Sequence, residues 1–123
     1  MAAAGDLERG IEYAHHALRL DPLHVRSPYL NILGLLNFLA GHYEEALNAL
    51  QRNQERGGPL GAGQMRVLAA AYSKMGESTK AEYTLKIANG HAPEIGRWKD
   101  WLSNAFEDPA ILQPLFDEIE SIN

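Results

Sequence analysis

The chain has 123 residues, of which 46% are hydrophobic and 22% charged, with a net charge of −5 and no cysteine. This is the length of one domain and the composition of a globular protein, which excludes disordered and collagen-like chains. The lack of cysteine excludes disulfides and thiolate zinc sites, and the negative charge without a basic stripe argues against a nucleic-acid partner.

Membrane insertion is not expected. The longest nearly uncharged run, 27–42, is interrupted by asparagine and glycine, and a membrane span needs about 20 apolar residues. The first residues lack the basic and apolar regions of a secretory signal,. We therefore expect a cytoplasmic protein.

Apolar and small residues spaced by three and four predict a series of helices, whereas strand signals are weak. Asp6 is predicted to cap a first helix that starts at Leu7 and stops at Asp21-Pro22,. Ser27-Pro28 is a typical helix start,. Further helices are expected at about 28–40, 43–56, 62–75 and 79–89, then one opened by Pro93, a short turn at 109–112 and a last helix at 114–122.

Three segments align on one glycine each, Gly5, Gly41 and Gly76, which lie 36 and 35 residues apart. Small residues recur at matching places after each glycine and, in two copies, before it. The small residues are Gly10, Ala46 and Ala81 after the glycine, and Gly34 and Ala69 before it. Such residues let antiparallel helices approach closely, and a glycine can end the first helix in a left-handed turn.

This pattern resembles the tetratricopeptide repeat, a helical hairpin that stacks into a superhelix. The matching residues are Gly34, Gly41, Ala46, Ala69, Tyr72, Gly76, Ala81, Ala88 and Pro93, with Gly5, Ile11, Ala17 and Pro22 in the first copy. The resemblance implies an all-α superhelix with repeats at about 5–24 (partial), 27–60 and 62–93 and a helical cap at 94–123. Asn37 and Asn53 depart from the family pattern, which prefers an aromatic residue and alanine there.

The first copy has only its second helix, which indicates a piece of a longer protein; a shortened natural cap is the alternative. The tail resembles the segment after the repeats in bacterial class III adenylate/guanylate cyclases and related transcriptional regulators. The matching residues are Trp98 or Trp101, Phe106, Asp108, Pro109, Ala110 and Leu115. The acidic end of the chain departs from the basic, glycine-containing end of that family. This resemblance implies a non-catalytic regulatory segment of such a protein.

The sequence predicts no catalytic, metal or cofactor site. Glu12 and His15 have the spacing of one half of a bundle metal motif, but the other half is missing,. The run GGPLGAG at 57–63 lacks the lysine of a phosphate-binding loop and follows a predicted helix,. Trp98 and Trp101 are expected to bury against the preceding hairpin rather than stack on a ligand.

In the resembling family, one side of each first helix lines a concave groove. This places two sets of residues there, Asn31, Leu35, Phe38 and Leu39 in the second repeat and Arg66, Ala70, Ser73 and Lys74 in the third. Helix 29–40 is apolar almost all round, so the apolar side chains that do not pack against the neighbouring helix must be shielded from water by another element. The cover could be a partner peptide, a second copy of the chain, a missing upstream helix or the C-terminal helix, and we favour an intermolecular one.

We therefore expect a non-enzymatic protein–protein interaction module, with a homodimer as one possible form. Leu35, Phe38 and Leu39 are the predicted apolar anchors. The predicted polar groove residues are Asn31, Arg66 and Lys74. The alternative is a regulatory C-terminal segment of a signalling enzyme or transcription regulator, such as a nucleotide cyclase.

Overall fold

The computed structural model describes residues 4–20, 29–55, 62–90, 99–100, 102–104, 106 and 109–122. The elements are α1 (Ala4–Leu20), α2 (Tyr29–Leu39), α3 (Tyr43–Glu55), α4 (Ala62–Lys74), α5 (Ser78–Asn89), a 3-10 turn (Pro109–Leu112) and α6 (Gln113–Ser121). Residues 99–100 and 102–104 are also helical. Within these residues there is no strand, so the all-α prediction is confirmed.

Helix boundaries agree with the sequence pattern except at the start of the chain. The ends of α2 to α6 lie within one residue of their predicted positions, and the turn is Pro109–Leu112 as expected. In contrast, α1 is already helical at Ala4, so Asp6 is not its cap and Gly5 is not a turn. Alanine is the strongest helix former, which favours continuing the helix through the glycine.

Several sequence assignments fall outside the described residues. They are the helix stop at Asp21-Pro22, the start at Ser27-Pro28, the loop at 57–61, Pro93, and the two tryptophans Trp98 and Trp101.

The α2–α3 and α4–α5 hairpins close with the same turn. Gly41 and Gly76 have φ values of +86° and +79°, a region that glycine adopts at little cost. The N–H of His42 donates to the carbonyl of Asn37 at 2.8 Å, and the N–H of Glu77 makes the equivalent bond at 2.9 Å. This is the Schellman arrangement that ends a helix, and it recurs after 35 residues as the repeat predicts.

Small residues bring the helices of each hairpin together. A Cβ atom on Gly34 would lie 2.5 Å from Cγ of Leu50, so α2 and α3 meet where only glycine fits. Ala46 and Ala81, at matching positions of α3 and α5, are buried. A Cβ on Gly10 would lie 3.0 Å from a terminal methyl of Leu36, so α1 also lies close to α2.

Among the residues that the structure describes, buried side chains form three clusters that follow the chain order. The first joins α1, α2 and α3 through Ile11, Ala14, Leu18, Leu30, Leu33 and Ala49. The second joins α2, α3, α4 and α6 through Phe38, Ala46, Leu47, Leu50, Val67, Leu68, Ala70, Ala71 and Leu115. The third joins α4, α5 and the end of α6 through Ala69, Ala81, Leu85 and Ile122. Each helix therefore packs on its neighbour, and α6 returns to contact α4 and α2. Of the helices described, none has the length and apolar character needed to cross a bilayer.

We expect Gly34→Ala to destabilise the protein and Gly10→Ala to leave it at least as stable. Alanine gains about 1 kcal/mol over glycine in a helix interior, but overpacking a core costs about 1–3 kcal/mol. At Gly34 the obstacle is the branch point of the fully buried Leu50, whereas at Gly10 it is a methyl of the half-buried Leu36 that can rotate away. Urea denaturation of both variants measures the difference, and equal stabilities would contradict the close α2–α3 contact.

Candidate functional site

The predicted apolar anchors come together on the side of α2 that faces α4. Phe38 is only 2% exposed and belongs to the buried cluster shared with α4. Leu35 and Leu39 are half-buried and pack against that cluster. Ile32 is 38% exposed and shares their stripe, because residues three and four apart lie on one helix face.

The cover of Phe38 comes from the chain itself. Leu115 of α6 is fully buried in the cluster that contains Phe38, and Phe116 and Ile119 pack against the same cluster. α6 has its own apolar stripe, which is stabilised by burial. The intermolecular cover favoured by the sequence is therefore corrected at this position: the C-terminal helix folds back, as in the remaining alternative.

The far end of α6 reaches the second hairpin. Ile122, which directly follows α6, is 9% exposed and packs with Ala69, Ala81 and Leu85. α6 therefore bridges the cluster between α2 and α4 and the cluster between α4 and α5. We call the surface that receives it, formed by α2 and α4 with Ala81 and Leu85 of α5, the groove.

One carboxylate of α6 is held by the last turn of α4. The hydroxyl of Ser73 donates to Oε2 of Glu118 at 2.5 Å, and Nζ of Lys74 lies 3.2 Å from Oε1. Burial raises the pKa of Glu118, but the hydrogen bonds from Ser73 and Lys74 and the charge of Lys74 together outweigh it, so the pKa lies below its ordinary value. Lys74 also lies 5.3 Å from the centre of the Tyr43 ring. Ser73 and Lys74 thus lie where α4 meets α6, and both contact the carboxylate of Glu118.

Arg66 is not presented in the groove, in contrast to the sequence prediction. Its side chain is 0% exposed, and Nη2 donates to the carbonyl of Ala88 at 3.1 Å. Asn31, the equivalent residue of the other hairpin, accepts a hydrogen bond from Nδ2 of Asn53 at 3.1 Å. Both positions therefore link the first helix of a hairpin to the same place on the second helix. Asn53 is itself a sequence signal for this link, because a polar side chain buried where the repeat prefers alanine needs a partner,.

Sequence reasoning assigned no role in the groove to Glu118, Ile119 or Ile122. The signal that could have found them is the spacing of apolar residues in the last helix, Leu115, Ile119 and Ile122, which places all three on one face beside Glu118,.

The histidine and carboxylate side chains of the described residues do not converge on a metal site. Among them, no group of three or more histidine, aspartate or glutamate side chains lies close enough to hold a metal ion. Glu12 and His15 are exposed on α1. No protein-family model matches the chain, and no curated protein is significantly similar to it. The groove is the feature on which a functional assignment can be based.

We expect Arg66→Ala to cost about 2–4 kcal/mol of stability, because it removes a buried bond to Ala88 and leaves a cavity. Lys74→Ala, which removes a partly exposed side chain, should cost no more than about 1 kcal/mol. Urea denaturation compares the two. Equal losses would show that Arg66 does not hold α4 to α5.

We also expect the docking of α6 to weaken in acid. Because the pKa of Glu118 is lowered in the folded protein, its contribution is present above the pKa of the unfolded chain and is lost as the pH falls through the folded pKa. Lys74 is the cation that faces Glu118. The effect is measured as the loss of amide hydrogen-exchange protection in α6 between about pH 6 and about pH 3. In the Glu118→Gln variant, the share of this loss that comes from protonation of Glu118 should disappear. An identical acid response in both proteins would contradict the role of Glu118.

Proposed function

We propose that this chain is a tetratricopeptide-like helical-repeat module that binds another protein through the groove and has no catalytic activity of its own. The observation that carries the proposal is that the groove already receives an amphipathic helix, α6, by burying Leu115 and Ile122 at its two ends. Laying an apolar helix face into a groove is a common mode of peptide recognition.

The repeat geometry supports the tetratricopeptide-like part of the proposal. The two hairpins have the same left-handed glycine turn 35 residues apart, and small residues are buried at matching positions of their second helices. Equivalent residues, Asn31 and Arg66, also bind equivalent places on those helices. A stack of such hairpins forms an extended concave surface, which repeat proteins use to bind partners.

Apolar surface left open beside α6 supports the binding part. Ile32 is exposed, and Leu35 and Leu39 are only half-buried although α6 is docked. Exposed apolar groups that lie together on one face favour an interaction site. A partner in the groove would bury this stripe and would contact α2 as well as α4.

A second candidate is a regulatory C-terminal segment of a signalling enzyme such as a nucleotide cyclase. It is favoured by the turn that begins at Pro109 and the helix that follows it. In the cyclase family that the tail resembles, an Asp-Pro-Ala sequence likewise precedes the last helix. Reading the full gene tests it: an upstream cyclase or winged-helix domain would support it, and an open reading frame that starts at Met1 would exclude it.

The module is tested by selecting binders from a displayed library of helical peptides against the full chain. We expect the selected peptides to lose binding to the Leu39→Asp variant, because the new charge lies on the apolar stripe of the groove. The same peptides should still bind the Tyr83→Asp variant. Tyr83 is the matched control because it is 68% exposed on α5. Circular dichroism verifies that both variants are folded. If no peptide is selected, or if the selected peptides bind both variants equally, the groove is not a protein-binding site.

A further inference from the structure

The way in which α6 sits in the groove defines a recognition pattern. Its apolar anchors stand at relative positions 0, 4 and 7, which are Leu115, Ile119 and Ile122. Leu115 is buried in the cluster shared with α2, α3 and α4, and Ile122 in the cluster shared with α4 and α5. Ile119 is partly buried and packs against both of these clusters. Such spacing is the signature of a helix that lies in an apolar groove.

The polar part of the pattern is equally defined. Glu118, at relative position 3, meets two donors at once, the hydroxyl of Ser73 and the ammonium of Lys74. Its side chain is only 18% exposed, so a residue without an anionic acceptor there would leave the donors poorly satisfied. The groove therefore selects a glutamate at this position as well as apolar anchors.

Charge complementarity extends beyond this pair. α6 contains acidic residues and no lysine or arginine, whereas two lysines lie against it. Lys74 lies at its middle, and Nζ of Lys99 lies 5.2 Å from the centre of the Phe116 ring. A net acidic helix therefore suits this surface better than a basic one.

α6 has only 9 residues. Isolated helices shorter than about 12–15 residues are marginal in water, so α6 depends on the groove for its helical state. A longer helix with the same pattern, which pays less to become helical, can compete with α6 for the groove.

We propose that the groove recognises an acidic amphipathic helix of a partner protein, with Leu, Glu, Ile and Ile at relative positions 0, 3, 4 and 7, and that α6 takes the place of this helix in the free chain. This inference rests on the proposed function and specifies its partner. Binding then requires displacement of α6. The apparent affinity of the partner is therefore its intrinsic affinity multiplied by the fraction of chains whose groove is open.

The experiment uses a blocked, fluorescent peptide of residues 109–123 as the probe and full-length chains as receptors. Glu118→Lys in the chain weakens the docking of α6 through repulsion from Lys74 but leaves the groove intact. We expect the peptide to bind this chain about tenfold or more tightly than the native chain, as measured by fluorescence anisotropy. Leu115→Ser with Ile119→Ser in the chain is a second way to open the groove, and circular dichroism verifies that each receptor is folded.

Specificity is tested with two peptides that carry the same charge change. Glu118→Lys in the peptide should weaken binding about tenfold or more, because it removes the acceptor for Ser73 and Lys74. Asp117→Lys is the matched control, because Asp117 is exposed and bonds to Gln113 of its own helix. Lys74→Glu, added to the receptor that carries Leu115→Ser and Ile119→Ser, should restore binding of the Glu118→Lys peptide. The Glu118→Lys receptor is unsuitable for this test, because the two changes together would attract its own α6 to α4 again.

Three results would overturn the inference. The first is that the native-sequence peptide fails to bind folded receptors with an opened groove. The second is that the Glu118→Lys and Asp117→Lys peptides bind equally well. The third is that sedimentation shows a native dimer that the peptide dissociates, because the occupant of the groove would then be α6 of a second copy. The outcome for the proposed function is separate. If the library yields peptides that need Leu39 but lack the Leu, Glu, Ile, Ile pattern, the chain is still a protein-binding module, but its partner is not the acidic helix proposed here.

Discussion

The apolar side of α2 and α4 must be shielded from water, and most of the C-terminal architecture follows from that need. α6 meets it by burying Leu115 in the cluster that contains Phe38 and by placing Ile122 against the second hairpin. Burying a side chain of this size contributes about 1.5–3 kcal/mol, more than the single partly exposed ion pair between Lys74 and Glu118 is expected to contribute,. Apolar burial therefore stabilises the docked α6 more than this ion pair does.

The two hairpins are each held together by contacts within the hairpin. Each is closed by a glycine turn, and small residues let its helices approach closely, as Gly34 does against Leu50. Each is also tied by a polar residue of its first helix, Asn31 or Arg66, to the second helix. None of these contacts uses α6. The exchange of helices that we propose would therefore leave these particular contacts in place.

Glycine, proline and periodicity were enough to place the helices from Tyr29 onward, because turns such as that at Gly41 are determined by local backbone geometry. The start of α1 was misplaced, since a glycine in a strong helix-forming context does not end a helix. The cover of Phe38 could not be decided from the sequence, because an apolar stripe is the same whether its cover belongs to this chain or to another. Arg66 was assigned to the groove from the register of the repeat, which does not reveal that its side chain bends back to α5.

In this structure α6 lies in the groove of its own chain. Nuclear Overhauser contacts from the methyl groups of Leu115, measured in a mixture of isotope-labelled and unlabelled chains, show whether it does so in solution. We expect cross-peaks to side chains of α2 and α4, such as Phe38 and Ala71, that arise within one molecule. Leu115 methyl groups that contact only their own helix, or that contact α2 and α4 only between molecules, would contradict it.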